Sequence, residues 1–126
     1  VGYGAASSEM ISYLNRIRPP FNVNTLAQIA AAAALEDQDF VSKTITETKK
    51  GLSKLYEAFD RLKLNYVKSR ANFIWVETPY LSGEMFQRLL HKGVIVRPFM
   101  GNWLRITVGT EEENAALVQA LEEILN

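Results

Sequence analysis

Two arginines sit where a permanent charge is costly. The stretch GVIVRPFMGNWLRITVGT, residues 93–110, reads as two apolar strands joined by a glycine-containing turn, with Arg97 in the first and Arg105 in the second. A guanidinium stays protonated at any ordinary pH, and taking it unpaired out of water costs several kcal/mol. Strand alternation relieves the conflict. Leu104, Ile106 and Val108 share one face while Arg105 and Thr107 share the other, and Val94 and Val96 oppose Ile95 and Arg97. Both arginines can therefore leave the side of the sheet that helices cover. Two arrangements remain open. Each arginine is exposed with its stem lying along the sheet, the commoner situation; or the strands pair through the turn and both forks converge on one anion, since a planar guanidinium meets carboxylate or phosphate with two parallel hydrogen bonds.

Little else in the chain offers chemistry. There are no cysteines, which removes disulfides, thiolate zinc sites and a cysteine nucleophile, and the single histidine, His91, excludes a multi-histidine metal site. His91 falls at the end of a predicted helix, where it suits the dipole better than it suits proton transfer. Gly2 and Gly4 have the first spacing of a dinucleotide fingerprint, but Ser7 replaces its third glycine and no acidic residue follows at the required distance. Glu111, Glu112 and Glu113 form a helix-capping run, and Tyr56 and Tyr66 suit a core or an interface equally. Fourteen basic side chains balance fourteen acidic ones, so no global field favours nucleic acid or an anionic membrane, and anion recognition must be local. The longest apolar run, Ile29 to Leu35, falls far short of the ~20 residues that span a bilayer, which predicts a soluble protein.

The arginines need a scaffold, and the patterning supplies one in three parts. VGYG reads as a short strand, followed by a helix that Ser7 or Ser8 caps and Pro19 and Pro20 stop. Asn24 caps an alanine-rich second helix. Asp37 opens a third, with Val41, Ile45, Thr48, Leu52, Leu55, Phe59 and Leu62 in one stripe; from residue 37 to 63 it would run ~40 Å, long enough to lean on more than one body of structure. Gly51 within it marks a bend. Beyond Leu64 the texture changes: NYVKSRANFIWVET is a strand, SGEMFQRLLHKG a helix capped by Ser82 with Met85, Phe86, Leu89 and Leu90 inward, VIVRP and WLRITVG two more strands, and TEEEN opens a last helix with Thr110 and Glu113 as its capping box. The predicted class is α+β, with a β-α-β-β-α two-layer domain over residues 64–126 and its helices on one face of the sheet.

VGYG, LNRIRPPFNVNTLAQIAAAAAL, SRANFIWV, GVIVRPF and WLRITVGTEEEN, in this order and separation, closely resemble the C-terminal part of the histidinol-phosphate aminotransferase family, class II pyridoxal-phosphate enzymes of the aspartate aminotransferase fold. The resemblance covers essentially the whole chain. It implies a cytoplasmic, homodimeric enzyme that passes an amino group between L-histidinol phosphate and 2-oxoglutarate, with pyridoxal 5'-phosphate as carrier. Arg105 of LRIT and Arg97 of VIVRP would then hold the phosphate of one substrate and the carboxylates of the other. Residues 1–36 would end the large cofactor domain, 37–63 would form the interdomain helix, and 64–126 the small C-terminal domain. The family's cofactor lysine precedes the GYG strand, and the aspartate and aromatic ring that hold the cofactor also lie upstream. The chain therefore reads as a fragment that binds no cofactor, carries no catalytic residue and is inactive alone.

Other functions fit the same residues. Threonine-phosphate decarboxylase and aromatic amino-acid aminotransferases share the clamp. A non-catalytic amino-acid-binding regulatory module would also use a small α+β domain with two arginines, and a helix-mediated interaction protein would use the stripe from Val41 to Leu62.

Overall fold

The computed structural model describes residues 1–125, in five helices and a four-stranded sheet. The chain divides into two compact units, Val1–Lys43 and Thr44 onward.

In the first unit, α1 (Ser8–Ile17) begins where Ser7 Oγ accepts from the Met10 N–H at 3.3 Å, and α2 (Thr25–Glu36) begins where Asn24 Oδ1 accepts from the Ala27 N–H at 2.8 Å. Each cap satisfies a donor that has no partner within the helix. VGYG is not a strand: no segment among the described residues pairs with it, and a strand exists only through its ladder. Asp37 Oδ1 accepts from the Phe40 N–H at 3.0 Å and opens α3 (Gln38–Arg61), which continues into the second unit.

The second unit is built on the C-terminal part of α3. Leu52, Leu55 and Phe59 of the predicted stripe are buried, Thr48 and Leu62 half-buried, and Ile45 exposed. Lys63 turns the chain with φ 55°, and the Leu64 N–H returns to Phe59 O at 2.9 Å. Gly51 has a different purpose from the predicted bend. It is buried, and a Cβ built there would lie 2.5 Å from Val108 Cγ1 and 2.9 Å from Asn114 Nδ2, so glycine allows the close approach of the segment that leads into the last helix.

Four strands follow: β1 (Tyr66–Val67), β2 (Phe73–Glu77), β3 (Arg97–Pro98) and β4 (Trp103–Thr107). The order across the sheet is β1-β2-β4-β3, antiparallel throughout. The single strand expected over residues 65–78 is two, because polar Lys68 to Asn72 folds back and pairs Tyr66 with Val76. Strand VIVRP is shorter than expected: only Arg97 and Pro98 pair, and a cleft of about 420 Å³ opens where Gly93 to Val96 diverge from Ile106 and Thr107.

Helix α4 (Ser82–His91) joins β2 to β3, and α5 (Glu111–Leu125) follows β4. Ser82 is not the N-cap. That position is Leu81, and the Ser82 hydroxyl instead donates to Phe99 O in the β3–β4 turn. Gly93 ends the α4 segment with φ 79°, as its position after the last apolar residues predicts. Met85 and Leu89 are buried and Phe86 packs against the core, whereas Leu90 is 40% exposed. Thr110 and Glu113 form the expected box: the Thr110 N–H donates to Glu113 Oε2 at 2.7 Å and the Glu113 N–H to Thr110 Oγ1 at 3.3 Å.

The core lies on one side of the sheet. Ile74 and Val76 of β2 and Leu104 and Ile106 of β4 meet Leu55 and Phe59, Met85 and Leu89, and Leu117 and Leu121. Burying each such side chain contributes about 1.5–3 kcal/mol. No described helix is long and apolar enough to cross a membrane.

Candidate functional site

Because even-numbered positions of β2 and β4 face the core, Phe73, Trp75, Trp103, Arg105 and Thr107 belong to the opposite face. Val96 is buried while Arg97 is exposed, so β3 continues the alternation. The pairing decides the site. Arg97 is the register partner of Arg105, which on its other side is the partner of Trp75. The structure thus brings the two predicted arginines side by side on the outer face.

A network at the turn holds this register. Gly101 takes φ 65°, and Trp103 and Phe99 close the hairpin through a Phe99 N–H bond to Trp103 O at 2.9 Å. The Asn102 side-chain amide donates to Thr78 O at 2.9 Å, while Asn102 O accepts from the Thr78 N–H at 2.9 Å. Gly101 O accepts from the Ser82 N–H at 2.9 Å, and the Ser82 hydroxyl bonds Phe99 O. The β3–β4 turn is therefore fastened to the entrance of α4, so the register that juxtaposes the arginines is fixed by both.

The electrostatics of the pair are unfavourable as it stands. Like charges directly opposite on neighbouring strands destabilise a sheet. Among the described residues neither arginine has an ion-pair partner; ion pairs elsewhere include Lys54–Glu111, Arg61–Glu122, Arg88–Glu84 and Lys92–Glu123. Arg105 Nε is buried and has no hydrogen-bond partner, an omission that costs about 1–3 kcal/mol for a buried donor. A bound anion would answer both deficits, with the guanidinium forks as donors.

Aromatic rings border this cation, and inspection for charged residues alone misses them. The Arg105 guanidinium carbon lies 5.1 Å from the centre of the Phe73 ring. Trp75 and Phe99 meet edge to face at 4.4 Å. These two rings come from β2 and the end of β3, which β4 separates, so their contact crosses the outer face of β4 at the level of Trp103 and Arg105. The signal was available in the alternation of FIWVE, which sends Phe73 and Trp75 to the same face as the arginines.

The remaining candidates lie elsewhere. His91 ends α4 with Nδ1 2.7 Å from Gln87 O, a helix-terminal arrangement. Gly2 and Gly4 stand in an irregular segment with nothing within 4 Å of a built Cβ. Glu111 pairs with Lys54, whose hydrogen bond holds its carboxyl below the usual carboxylate range. Tyr56 and Tyr66 stack with centres 4.9 Å apart; burial and the hydrogen bond to Asp60 raise the Tyr66 phenol above its ordinary value. No group of three or more His, Cys, Asp or Glu able to hold a metal occurs among the described residues.

Residues 1–121 match the family described as aminotransferase class I and II. The chain is 46% identical to a histidinol-phosphate aminotransferase of Caldicellulosiruptor saccharolyticus, covering 99% of this chain and 36% of that protein. It is 49% identical to one from Moorella thermoacetica, over 99% of this chain and 33% of the relative. The chain thus spans about a third of the length of these curated relatives. Among solved structures, a Thermus thermophilus aspartate aminotransferase mutant superposes with TM-score 0.63 at 26% identity, covering 92% of this chain and 34% of that one. The Sinorhizobium meliloti histidinol-phosphate aminotransferase, solved with pyridoxal-5'-phosphate, superposes with TM-score 0.78 at 22% identity over 93% of this chain and 34% of that one, a likeness of fold.

Proposed function

The chain belongs to the class I and II aminotransferases, and from that premise we propose that it forms the substrate-anion side of a pyridoxal 5'-phosphate-dependent enzyme that transfers an amino group between L-histidinol phosphate and 2-oxoglutarate. The names of the relatives given above support amino transfer and histidinol phosphate as one substrate. The observation that carries the reading is the side-by-side pair Arg97–Arg105, unanswered by any described carboxylate and with Arg105 Nε buried and unpartnered.

Both substrates are anions, one a phosphate ester and the other a dicarboxylate. Arg105 takes the oxyanion bidentately and Arg97 supplies the second cation, so one pair of forks serves both half-reactions. The cofactor supplies the electron-withdrawing carrier chemistry. The residues present do not fit the cofactor itself: every lysine of this chain is exposed, whereas a cofactor lysine needs desolvation or a cationic neighbour to act as a nucleophile. We therefore assign the cofactor lysine to sequence outside these 126 residues and derive no step through it. In the same reading residues 1–36 belong to the cofactor domain, 37–63 to the helix between domains and 64–126 to the small domain of a homodimeric enzyme.

The test is Arg105→Ala in the holoenzyme. Loss of a charged bidentate bond should lower kcat/KM for both substrates by at least about 30-fold, equivalent to about 2 kcal/mol, and Arg105→Lys should restore only part because a point charge cannot reproduce the fork. Unchanged kinetics would rule out the clamp.

A further inference from the structure

Arg105 has no hydrogen bond at Nε to fix the plane of its guanidinium, and Arg97 beside it repels it. Its orientation must come from packing. On β2 the register partner of Arg105 is Trp75, whose ring is engaged edge-on with Phe99. Phe73, two residues earlier on the same outer face, is partnered with Thr107 and so lies diagonal to Arg105, within reach of a long side chain. Its ring is the one over which the guanidinium carbon sits, at 5.1 Å.

We propose that Phe73 is a positioning residue: its ring holds the Arg105 guanidinium by cation–π contact in the orientation that presents the fork to the substrate anion. This rests on the clamp described above. The ring face attracts the cation without forming a hydrogen bond, so it occupies none of the N–H donors on the two Nη atoms that are to meet the ligand, whereas a carboxylate in the same place would take some of them. A carboxylate would also neutralise the charge that the substrate is to meet. An aromatic ring is thus the side chain that can aim an arginine without competing for it.

The experiment replaces Phe73 in the holoenzyme by Leu, by Tyr and by a fluorinated phenylalanine of similar shape whose ring face has lost its negative charge, with Arg105→Ala measured in parallel. Phe73→Leu and the fluorinated ring should each raise KM for both anionic substrates about twofold to fivefold, the range of an exposed cation–π contact, with kcat little changed. Phe73→Tyr should restore the wild-type KM. A structural role alone would not follow the electronics of the ring. If Phe73→Leu fails to fold, the fluorinated ring decides. Wild-type KM with the fluorinated ring, while Arg105→Ala is impaired, would overturn the role of Phe73 and leave the clamp standing. Wild-type kinetics in Arg105→Ala would remove the clamp and this inference with it.

Discussion

The two units of the chain are folded on different terms. None of residues 1–43 is buried; in α1, Tyr13 and Leu14 are about half-exposed and Ile17 is 78% exposed, although the helix is clearly amphipathic. From Thr44 onward, Leu55, Phe59, Ile74, Val76, Met85, Leu89, Leu104 and Leu121 are each fully buried. Helices of 10 and 12 residues are marginal in water without packing, so the caps at Ser7 and Asn24 do more of the local work in the first unit. In the second, the core holds the sheet and the sheet holds the arginines. Both predicted site residues lie on the unit that buries its own apolar surface.

Truncation of side chains should expose this contrast most sharply. Leu55→Ala or Phe59→Ala should cost about 2–5 kcal/mol, whereas Leu14→Ala should stay within about 0.5 kcal/mol. Urea unfolding of the 126-residue chain followed by circular dichroism gives both values; equal losses would mean that the units do not differ as described.

Two helical glycines make a finer contrast inside the second unit. At Gly51 a methyl group would collide with Val108, while at Gly83 it would meet nothing within 4 Å. Gly51→Ala should destabilise by about 1–3 kcal/mol despite its better helix propensity, and Gly83→Ala should be neutral or stabilising by up to about 1 kcal/mol. A stabilising Gly51→Ala would return this position to the role of a mere helix interruption.

The smallest effect is electrostatic. Hydrogen bonds from Lys54 and Lys92 hold the Glu111 and Glu123 carboxyls below their ordinary values. Carboxyls lower in the folded than in the unfolded chain contribute stability above the unfolded carboxylate range, and lose it as pH falls through the folded values. Both pairs are exposed, so the contribution is small and screened by salt. The chain should unfold more readily on acidification below the carboxylate range, and Lys54→Ala with Lys92→Ala should flatten that part of a pH titration of the unfolding midpoint. An unchanged slope would show that the pairs do nothing in solution.

Local signals carried much of the architecture. Ser7, Asn24, Asp37 and Thr110 cap helices because short polar side chains bond nearby N–H groups, which depends only on neighbours in sequence. The alternation of LRIT and VIVRP placed both arginines on the outer face for the same reason. Features set by distant partners were not legible. VGYG has strand composition without a partner among the described residues, Ser82 turns to a carbonyl seventeen residues away, and Gly51 answers to Val108. The break between β1 and β2 was hidden by apolar Tyr66 and Val67 continuing the pattern of Phe73 to Val76, although the polar run between them is where the chain folds back. Register, too, comes from the turn and its fastening to α4, and it is register that sets Arg97 against Arg105.

The claim that these two arginines share one anion is tested most directly by a double-mutant cycle. Substrate affinity would be measured in the holoenzyme for Arg97→Ala, Arg105→Ala and the double variant. Two cations on one ligand group should be coupled, so the double variant should lose less than the sum of the single losses, by about 1 kcal/mol or more. Losses that add to within about 0.3–0.5 kcal/mol would mean that the arginines act on separate groups and that their juxtaposition is not a clamp.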